Sequence, residues 1–171
     1  TIVYLHGWGQ NIQMMKPVAD PFQDKFDIVI LDLPGYGQSS EPKYAWTVYD
    51  YVEFLKEFLE KLKIKKPILV GHSFGGKISL LYASKYEVEK LVLFGSPFKK
   101  EIEKLSLKTK TLKALKKVPL INKFEDFAKK HIGSTDYRNA SKIMREILVL
   151  TVNLDITEEV KKIKAPTFII W

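Results

Sequence analysis

Short apolar runs recur along the chain, and longer amphipathic stretches separate most of them. The runs are rich in Val and Ile and do not alternate with polar residues: "TIVYL" (1–5), "DIVILDL" (27–33), "PILVG" (67–71), "KLVLFG" (90–95) and "PTFIIW" (166–171). Continuous apolar runs of this length are typical of strands that are buried on both faces of a parallel sheet. We therefore predict five strands in a mostly parallel sheet.

Helical periodicity fills most of the gaps between these runs. After Thr47 the apolar residues fall on one face of a 3.6-residue repeat: Val48, Tyr51, Val52, Leu55, Phe58, Leu59 and Leu62. Thr47 and Asp50 resemble a capping box, which predicts that the helix begins there. A second helix is predicted over 74–86. The alternation of strands and helices predicts an α/β fold, with helices flanking an open sheet and right-handed crossovers.

Between the fourth and fifth runs the alternation stops, and the sequence becomes helical without a clear strand. A helical insertion at such a place commonly covers the ends of the strands. We predict a core made of 1–96 and 155–171, with a helical cap over 97–154. The most apolar part of the cap is 142–152. Three of its residues either line an apolar pocket or pack into the core: Met144, Ile147 and Leu148.

The cap also carries most of the positive charge. Eight lysines and two glutamates lie within 99–117, and the whole chain has a net charge of +8. These lysines either face water along amphipathic helices or attract an anionic substrate, an acyl carrier or a membrane surface. Long lysine runs usually form a solvated face, so the first interpretation is favoured.

Composition disfavours several classes of function. The chain has 171 residues, of which 46% are hydrophobic and 28% charged, and no apolar run approaches the roughly 18 residues of a membrane span. Because it has no cysteine and only three widely spaced histidines, we predict no disulfide, no metal site and no cofactor. With only two arginines, nucleic-acid binding is not expected. The absence of cysteine and of a visible leader predicts a cytoplasmic location.

A serine between glycines follows the third run. The segment Gly71-His72-Ser73-Phe74-Gly75 fits G-x-S-x-G and stands between a predicted strand and a predicted helix, which is the context that this motif requires. Such a turn lifts the serine hydroxyl clear of the backbone, and the small neighbours allow close approach of other chain segments. A phosphate-binding loop would need a different glycine spacing, which is absent. We interpret Ser73 as a nucleophile.

Four motifs in this order resemble the α/β-hydrolase family with a helical cap: "YLHGWG" (4–9), "DLPGYGQSS" (32–40), "VGHSFGG" (70–76) and "LVLFGSP" (91–97). The resemblance implies an α/β-hydrolase core and an oxyanion hole made of two backbone N–H groups. Carried over residue by residue, it assigns these donors to Trp8 and Phe74. Two such donors aimed at a tetrahedral oxygen lower the reaction barrier by several kcal/mol.

Other polar residues near these motifs are interpreted as structural. His72 adjoins Ser73, but neighbours on a strand point to opposite faces, so its ring is expected to face away from the hydroxyl. His6 is expected to organise the oxyanion loop through hydrogen bonds. Asp32, together with Pro34, Gly35 and Gly37, is expected to shape a turn beside the site.

The partners of the serine are missing from the expected positions. In the family the acid and then the histidine follow the serine, and the acid comes after the strand that corresponds to 166–171. The one histidine after Ser73 is His131, near Asp126 and Asp136, and it is a poor candidate because it lies in the cap. We expect that both ends of the sequence are cut and that the acid and base lie beyond Trp171.

The sequence therefore favours a serine hydrolase acting on a carboxylic ester or a related small acyl compound. Thioester and carbon–carbon bond hydrolysis on the same fold remain open. A second class is also open, in which the fold is a non-catalytic ligand-binding protein or the chain is an inactive fragment. Without a base, Ser73 would be an ordinary, weakly nucleophilic alcohol.

Overall fold

In the computed structural model, which describes residues 1–100 and 139–171, a five-stranded sheet runs through the molecule. All strand pairs are parallel, and the order across the sheet is β2-β1-β3-β4-β5. The strands are β1 (Ile2–Leu5), β2 (Ile28–Leu31), β3 (Ile68–His72), β4 (Lys90–Phe94) and β5 (Thr167–Ile170). Each lies within one of the five apolar runs, apart from the last residue of β3, and the predicted α/β fold with a parallel sheet is confirmed.

Helices connect the strands. They are α1 (Ile12–Ala19), α2 (Val48–Lys61), α3 (Phe74–Lys85), α4 (Lys142–Asn153) and α5 (Thr157–Val160), with a short 3₁₀ turn at Asp20–Phe22. The capping box at the start of α2 is formed as predicted: Thr47 N–H donates to Asp50 Oδ2 (2.7 Å), and Asp50 N–H donates to Thr47 Oγ1 (3.3 Å). Helix α1, which begins after a cap by Asn11, was not predicted from the sequence.

The two faces of the sheet carry two apolar cores. Successive side chains of a strand point to opposite faces, so Val3 and Leu5 of β1 join one core while Ile2 and Tyr4 join the other. The larger core is completed by α2, α3 and α4, and the smaller one by α1. The central strand β3 is covered on both sides, and its carboxyl end is therefore fixed by packing from both layers.

The prediction that every run is buried on both faces is wrong for β5. Thr167, Phe168, Ile169 and Ile170 are all exposed, and Phe168 keeps 64% of its surface open. The reason is position: β5 pairs only with β4 at the edge of the sheet, and among the described residues no helix packs over it. Continuous apolar character marked the strand correctly but did not reveal this exposure.

The part of the predicted cap that the structure describes is folded against the core. In α4, Met144 and Ile147 are buried in the larger core, whereas Leu148 lines a cleft, so each of the two interpretations holds for part of this helix. Most of the lysine-rich segment 99–117 lies outside the described residues. The boundaries of the cap at 97 and 154 remain a prediction.

No helix within the two described ranges is long and apolar enough to cross a bilayer.

Candidate active site

Ser73 occupies a strained turn between β3 and α3. Its backbone has φ 48° and ψ −104°, a positive φ that residues other than glycine rarely adopt. Two backbone hydrogen bonds hold the turn: Ser73 N–H donates to the carbonyl of Phe94 (2.9 Å), and Lys77 N–H donates to the carbonyl of Ser73 (3.0 Å). The hydroxyl does not cap α3. The side chain is half-buried at the carboxyl edge of the central strand.

The two glycines that flank Ser73 permit close approach of other backbone segments. A Cβ on Gly75 would overlap the carbonyls of Leu5 and His6, and Gly75 N–H donates to the latter carbonyl at 3.1 Å. A Cβ on Gly71 would lie 2.6 Å from the Cα of Gly76. The steric reason given for the G-x-S-x-G spacing is therefore visible in the packing of this turn against β1 and α3.

The loop that follows β1 is fixed by a side chain that sequence reasoning missed. Gln10 Oε1 accepts hydrogen bonds from Gly7 N–H (2.9 Å) and from His72 Nδ1 (2.8 Å). Because a Cβ on Gly7 would lie 2.6 Å from His72 Nδ1, only glycine fits between these two groups. Gln10 thus joins the loop that carries Trp8 to the end of β3. A polar residue three positions after Gly7 was the signal available in the sequence.

His6 is a buried, neutral imidazole with a defined tautomer. Leu33 N–H donates to Nε2 (3.0 Å), so that nitrogen is the acceptor, and the proton on Nδ1 is donated to the carbonyl of Gly7 (2.7 Å). Burial lowers the pKa of His6, although its bond to Gly7 acts in the opposite direction. The ring links the loop after β1 to the loop after β2, as the sequence analysis expected.

His72 and Asp32 also have structural positions. His72 borders a separate groove with Met14 and Phe94, on the side of the sheet away from Ser73. Both carboxylate oxygens of Asp32 accept hydrogen bonds from the backbone. Oδ1 accepts from Ile12 N–H (2.8 Å), and Oδ2 accepts from Gln38 N–H (2.9 Å). A carboxylate held in this way organises two loops, and Asp32 is not among the described residues that line the cleft beside Ser73.

The structure brings the three predicted site residues together in one cleft of about 250 Å³. Its described lining is mainly apolar, with several polar side chains: Trp8, Ser73, Phe74, Lys77, Pro97, Lys99, Leu148, Thr151 and Val152. The rings of Trp8 and Phe74 meet edge to face, with centroids 6.0 Å apart. Phe74 is the first residue of α3, so its N–H has no acceptor within the helix and lies beside the serine.

Lys77 is a second residue that the sequence analysis did not single out. It lies one helical turn after Ser73, and only 3% of its surface is exposed. Its ammonium donates to the carbonyls of Thr151 and Leu154, both at 2.9 Å, which ties α3 to the end of α4. Burial lowers the pKa of Lys77, and the charge of Asp155 partly offsets this. A lysine within an otherwise apolar helix face was the available signal.

No histidine, aspartate or glutamate lines the described part of the cleft. Of the three histidines, His6 and His72 are held elsewhere, and His131 lies outside the described residues together with Asp126 and Asp136. In residues 1–100 and 139–171, no cluster of three or more His, Asp or Glu side chains is suited to a metal ion.

This fold and the strained serine turn define a class of protein, and comparison with known families identifies it. A family model described as alpha/beta hydrolase fold matches residues 1–107. The chain belongs to the α/β-hydrolase family.

Relatives by sequence include proteins named as hydrolases. The chain is 38% identical over 81 residues to the "Uncharacterized hydrolase YugF" of Bacillus subtilis (strain 168), which covers 47% of this chain and 30% of the relative. It is 33% identical over 98 residues to abhydrolase domain-containing protein abhd-5.2 of Caenorhabditis elegans, covering 54% of this chain and 22% of that protein. The matches therefore span less than a third of either relative.

Solved structures show the same fold over nearly the whole chain. A bacterial membrane phospholipase A aligns with a TM-score of 0.73 and 25% identity, covering 99% of this chain and 61% of that one. The enol-lactonase from Burkholderia xenovorans LB400 aligns with a TM-score of 0.68 and 18% identity, covering 98% and 70%. The second likeness is evidence of the fold alone.

Proposed function

We propose that the protein containing this chain is a serine hydrolase that cleaves a carboxylic ester or a related small acyl compound. The observation that carries the proposal is the strained Ser73 turn, which lies in one cleft with Trp8 and Phe74. Family membership and hydrolase-named relatives support hydrolysis in general. The name of one solved structure with this fold, a membrane phospholipase A, refers to the cleavage of carboxylic esters.

In the proposed mechanism, Ser73 Oγ attacks the substrate carbonyl and its proton passes to a histidine supplied by residues outside those described. The tetrahedral oxyanion accepts hydrogen bonds from the N–H groups of Trp8 and Phe74. The amino end of α3 adds favourable potential at this point. The histidine then protonates the leaving alcohol, and water, activated by the same histidine, releases the acyl group from the serine.

The arrangement around the loop after β1 supports this assignment. The amide of Trp8 follows Gly7, whose N–H and carbonyl are both held by side chains, Gln10 Oε1 and His6 Nδ1. Donors that are fixed before substrate arrives need no reorganisation when charge develops, which is the physical origin of oxyanion stabilisation. The fixed loop thus favours catalysis over simple ligand binding.

The test is covalent labelling by a fluorophosphonate probe in the longest reading frame that contains this chain. We expect Ser73 to be labelled and Ser73→Ala to abolish labelling, with turnover of a p-nitrophenyl ester falling by about 10³-fold or more. Ser84→Ala is the matched control, because Ser84 lies on α3 away from the cleft and donates to the carbonyl of Leu81.

A folded wild-type protein that resists the probe would instead support the alternative of a non-catalytic ligand-binding protein. Labelling that persists in Ser73→Ala would assign the nucleophile to another residue. The 171-residue chain alone is expected to label weakly or not at all, because no histidine lines the cleft beside Ser73 among its described residues.

A further inference from the structure

Among the described residues, the charged side chains that line the cleft beside Ser73 are all positive. Lys77 and Lys99 line it, and no aspartate or glutamate does so among the residues that the structure describes. Lys99 is exposed at the rim, where its ammonium lies 5.8 Å from the centre of the Phe98 ring. Lys77 is buried deeper, and most of the other side chains that line the cleft are apolar. Because the low polarity of such walls strengthens electrostatic interactions, an anion entering this cleft would be attracted.

The ammonium of Lys77 is not fully used by the protein. An ammonium group has three N–H donors, and two of them bond to the carbonyls of Thr151 and Leu154. Within the described part of the chain, the third has no acceptor. Among the described residues, the acid whose charge acts on Lys77 is Asp155. Asp155 is exposed and accepts hydrogen bonds from the backbone of Thr157 (2.9 Å) and Lys100 (3.4 Å) rather than from Lys77. The cation is therefore incompletely compensated.

A second polar group lies unused in the same wall. The hydroxyl of Thr151 is buried and has no hydrogen-bond partner within residues 1–100 and 139–171. Thr151 lines the cleft together with Lys77, to which it already presents its carbonyl. Buried polar atoms normally have partners, so an unpaired hydroxyl beside an incompletely compensated ammonium points to a missing acceptor.

We propose that Lys77 and Thr151 form a subsite for a carboxylate on the acyl part of the substrate, with Lys99 guiding the anion at the rim. This inference rests on the proposed function and names its substrate class: half-esters of short dicarboxylic acids. Ser73 and Lys77 are four residues apart at the start of α3, about 6 Å along the helix axis, and both line the same cleft. A half-ester of a short dicarboxylic acid carries its scissile carbonyl and its carboxylate on one small molecule, which suits two residues that share one cleft.

If Lys77 had a purely structural role, its loss would have a different effect on the two kinds of substrate. Lysine near the end of a helix stabilises its last carbonyls, and Lys77 does this for α4. If that were its whole role, its loss would affect charged and neutral substrates equally. A carboxylate subsite instead requires that the loss fall on the charged substrate.

The experiment compares two esters of equal length in the longest reading frame that contains this chain. One is the p-nitrophenyl half-ester of glutaric acid, and the other carries a methyl ester in place of its free carboxylate. We expect wild-type kcat/KM to favour the charged ester by about tenfold or more, the usual effect of a hydrogen bond to a charged group. Lys77→Met should remove this preference, and Thr151→Val should reduce it.

Lys85→Met is the matched control. It lies two turns further along α3, pairs with Glu53 at 3.2 Å outside the cleft, and removes the same unit of charge. This variant should keep the preference for the charged ester. Lys77→Gln, which retains hydrogen-bonding capacity without charge, replaces Lys77→Met if the latter does not fold.

Each outcome bears on one proposal. Equal wild-type kcat/KM for the two esters, or an equal loss for both in Lys77→Met, would overturn the carboxylate subsite while leaving the serine hydrolase intact. If neither ester is hydrolysed, calorimetric binding of monomethyl glutarate decides: binding that Lys77→Met abolishes supports the subsite, and no binding overturns it. Failure of Ser73 to react with the fluorophosphonate would separately overturn the proposed function.

Discussion

Several residues around the candidate site act through the backbone rather than through contact with substrate. His6 accepts a hydrogen bond from Leu33 N–H at one nitrogen and donates to the carbonyl of Gly7 from the other, and only the neutral ring can do both. Protonation would place a second N–H against the donor of Leu33 inside a buried environment. Because protonation of His6 would break one of these bonds, the stability of the loop before Trp8 depends on pH.

We expect the free energy of unfolding to fall as the pH drops below about 6.5, the ordinary pKa of histidine. Burial lowers the pKa of His6 in the folded state, so the unfolded chain binds a proton first, and acid favours unfolding. The loss is at most about 1.4 kcal/mol per pH unit for one proton. Urea unfolding at pH 7.5 and pH 5.5 should show a smaller decrease for His6→Gln than for wild type. Equal decreases would assign the effect to other groups.

At the scale of elements, local signals and long-range packing contribute differently. The start of α2 was predicted from Thr47 and Asp50 alone, because a capping box uses only neighbouring residues. The strained turn at Ser73 is also local in sequence, but distant partners hold it in place, the carbonyls of Phe94 and His6. The capping box of α2 can therefore be tested by itself, whereas the turn at Ser73 depends on the packing of the whole sheet.

Thr47→Ala is expected to lower the free energy of unfolding by about 1 kcal/mol, within the usual range of about 0.5–2 kcal/mol for loss of a cap. The substitution leaves Asp50 N–H without its side-chain acceptor. Thr47→Ser keeps the hydroxyl and should retain most of the stability. Chemical denaturation monitored by far-UV circular dichroism measures both, and equal losses in the two variants would contradict the capping role.

For the whole molecule, α4 shows how the segment before β5 joins the core. Ile147 is fully buried against the larger core, and Met144 reaches the turn at Gly35, where a Cβ would lie 2.6 Å from the Met144 methyl. Leu148 and Thr151, on the neighbouring side of the helix, line the cleft. One helix therefore contributes both to stability and to the wall facing Ser73.

Ile147→Ala is expected to reduce the free energy of unfolding by about 2–5 kcal/mol, because it leaves a cavity in this core. Val149→Ala is the matched control, since Val149 lies on the same helix with 47% of its surface exposed, and it should change stability by about 0.5 kcal/mol or less. Urea unfolding of the two variants provides the comparison. A small effect at Ile147 would show that α4 does not depend on this contact.

The sequence alone determined the features that depend on near neighbours. The Val- and Ile-rich runs identified the five strands, the capping box fixed the start of α2, and the glycine spacing located the strained turn at Ser73. These signals are short because backbone sterics and local hydrogen bonds act over a few residues. The resemblance to the α/β-hydrolase family rested on four motifs in their order along the chain, one of which contains Ser73.

Only the tertiary structure decided which distant residues meet. The bonds of Gln10 to Gly7 and His72, those of Lys77 to Thr151 and Leu154, and the exposure of β5 join or separate segments far apart in the sequence. Periodicity reports whether a residue is apolar but not which element covers it, because burial depends on the order of strands and on the packing of helices. The positive charge of the cleft beside Ser73 could likewise be seen only in the tertiary structure, which brings Lys77 and Lys99 into one cleft.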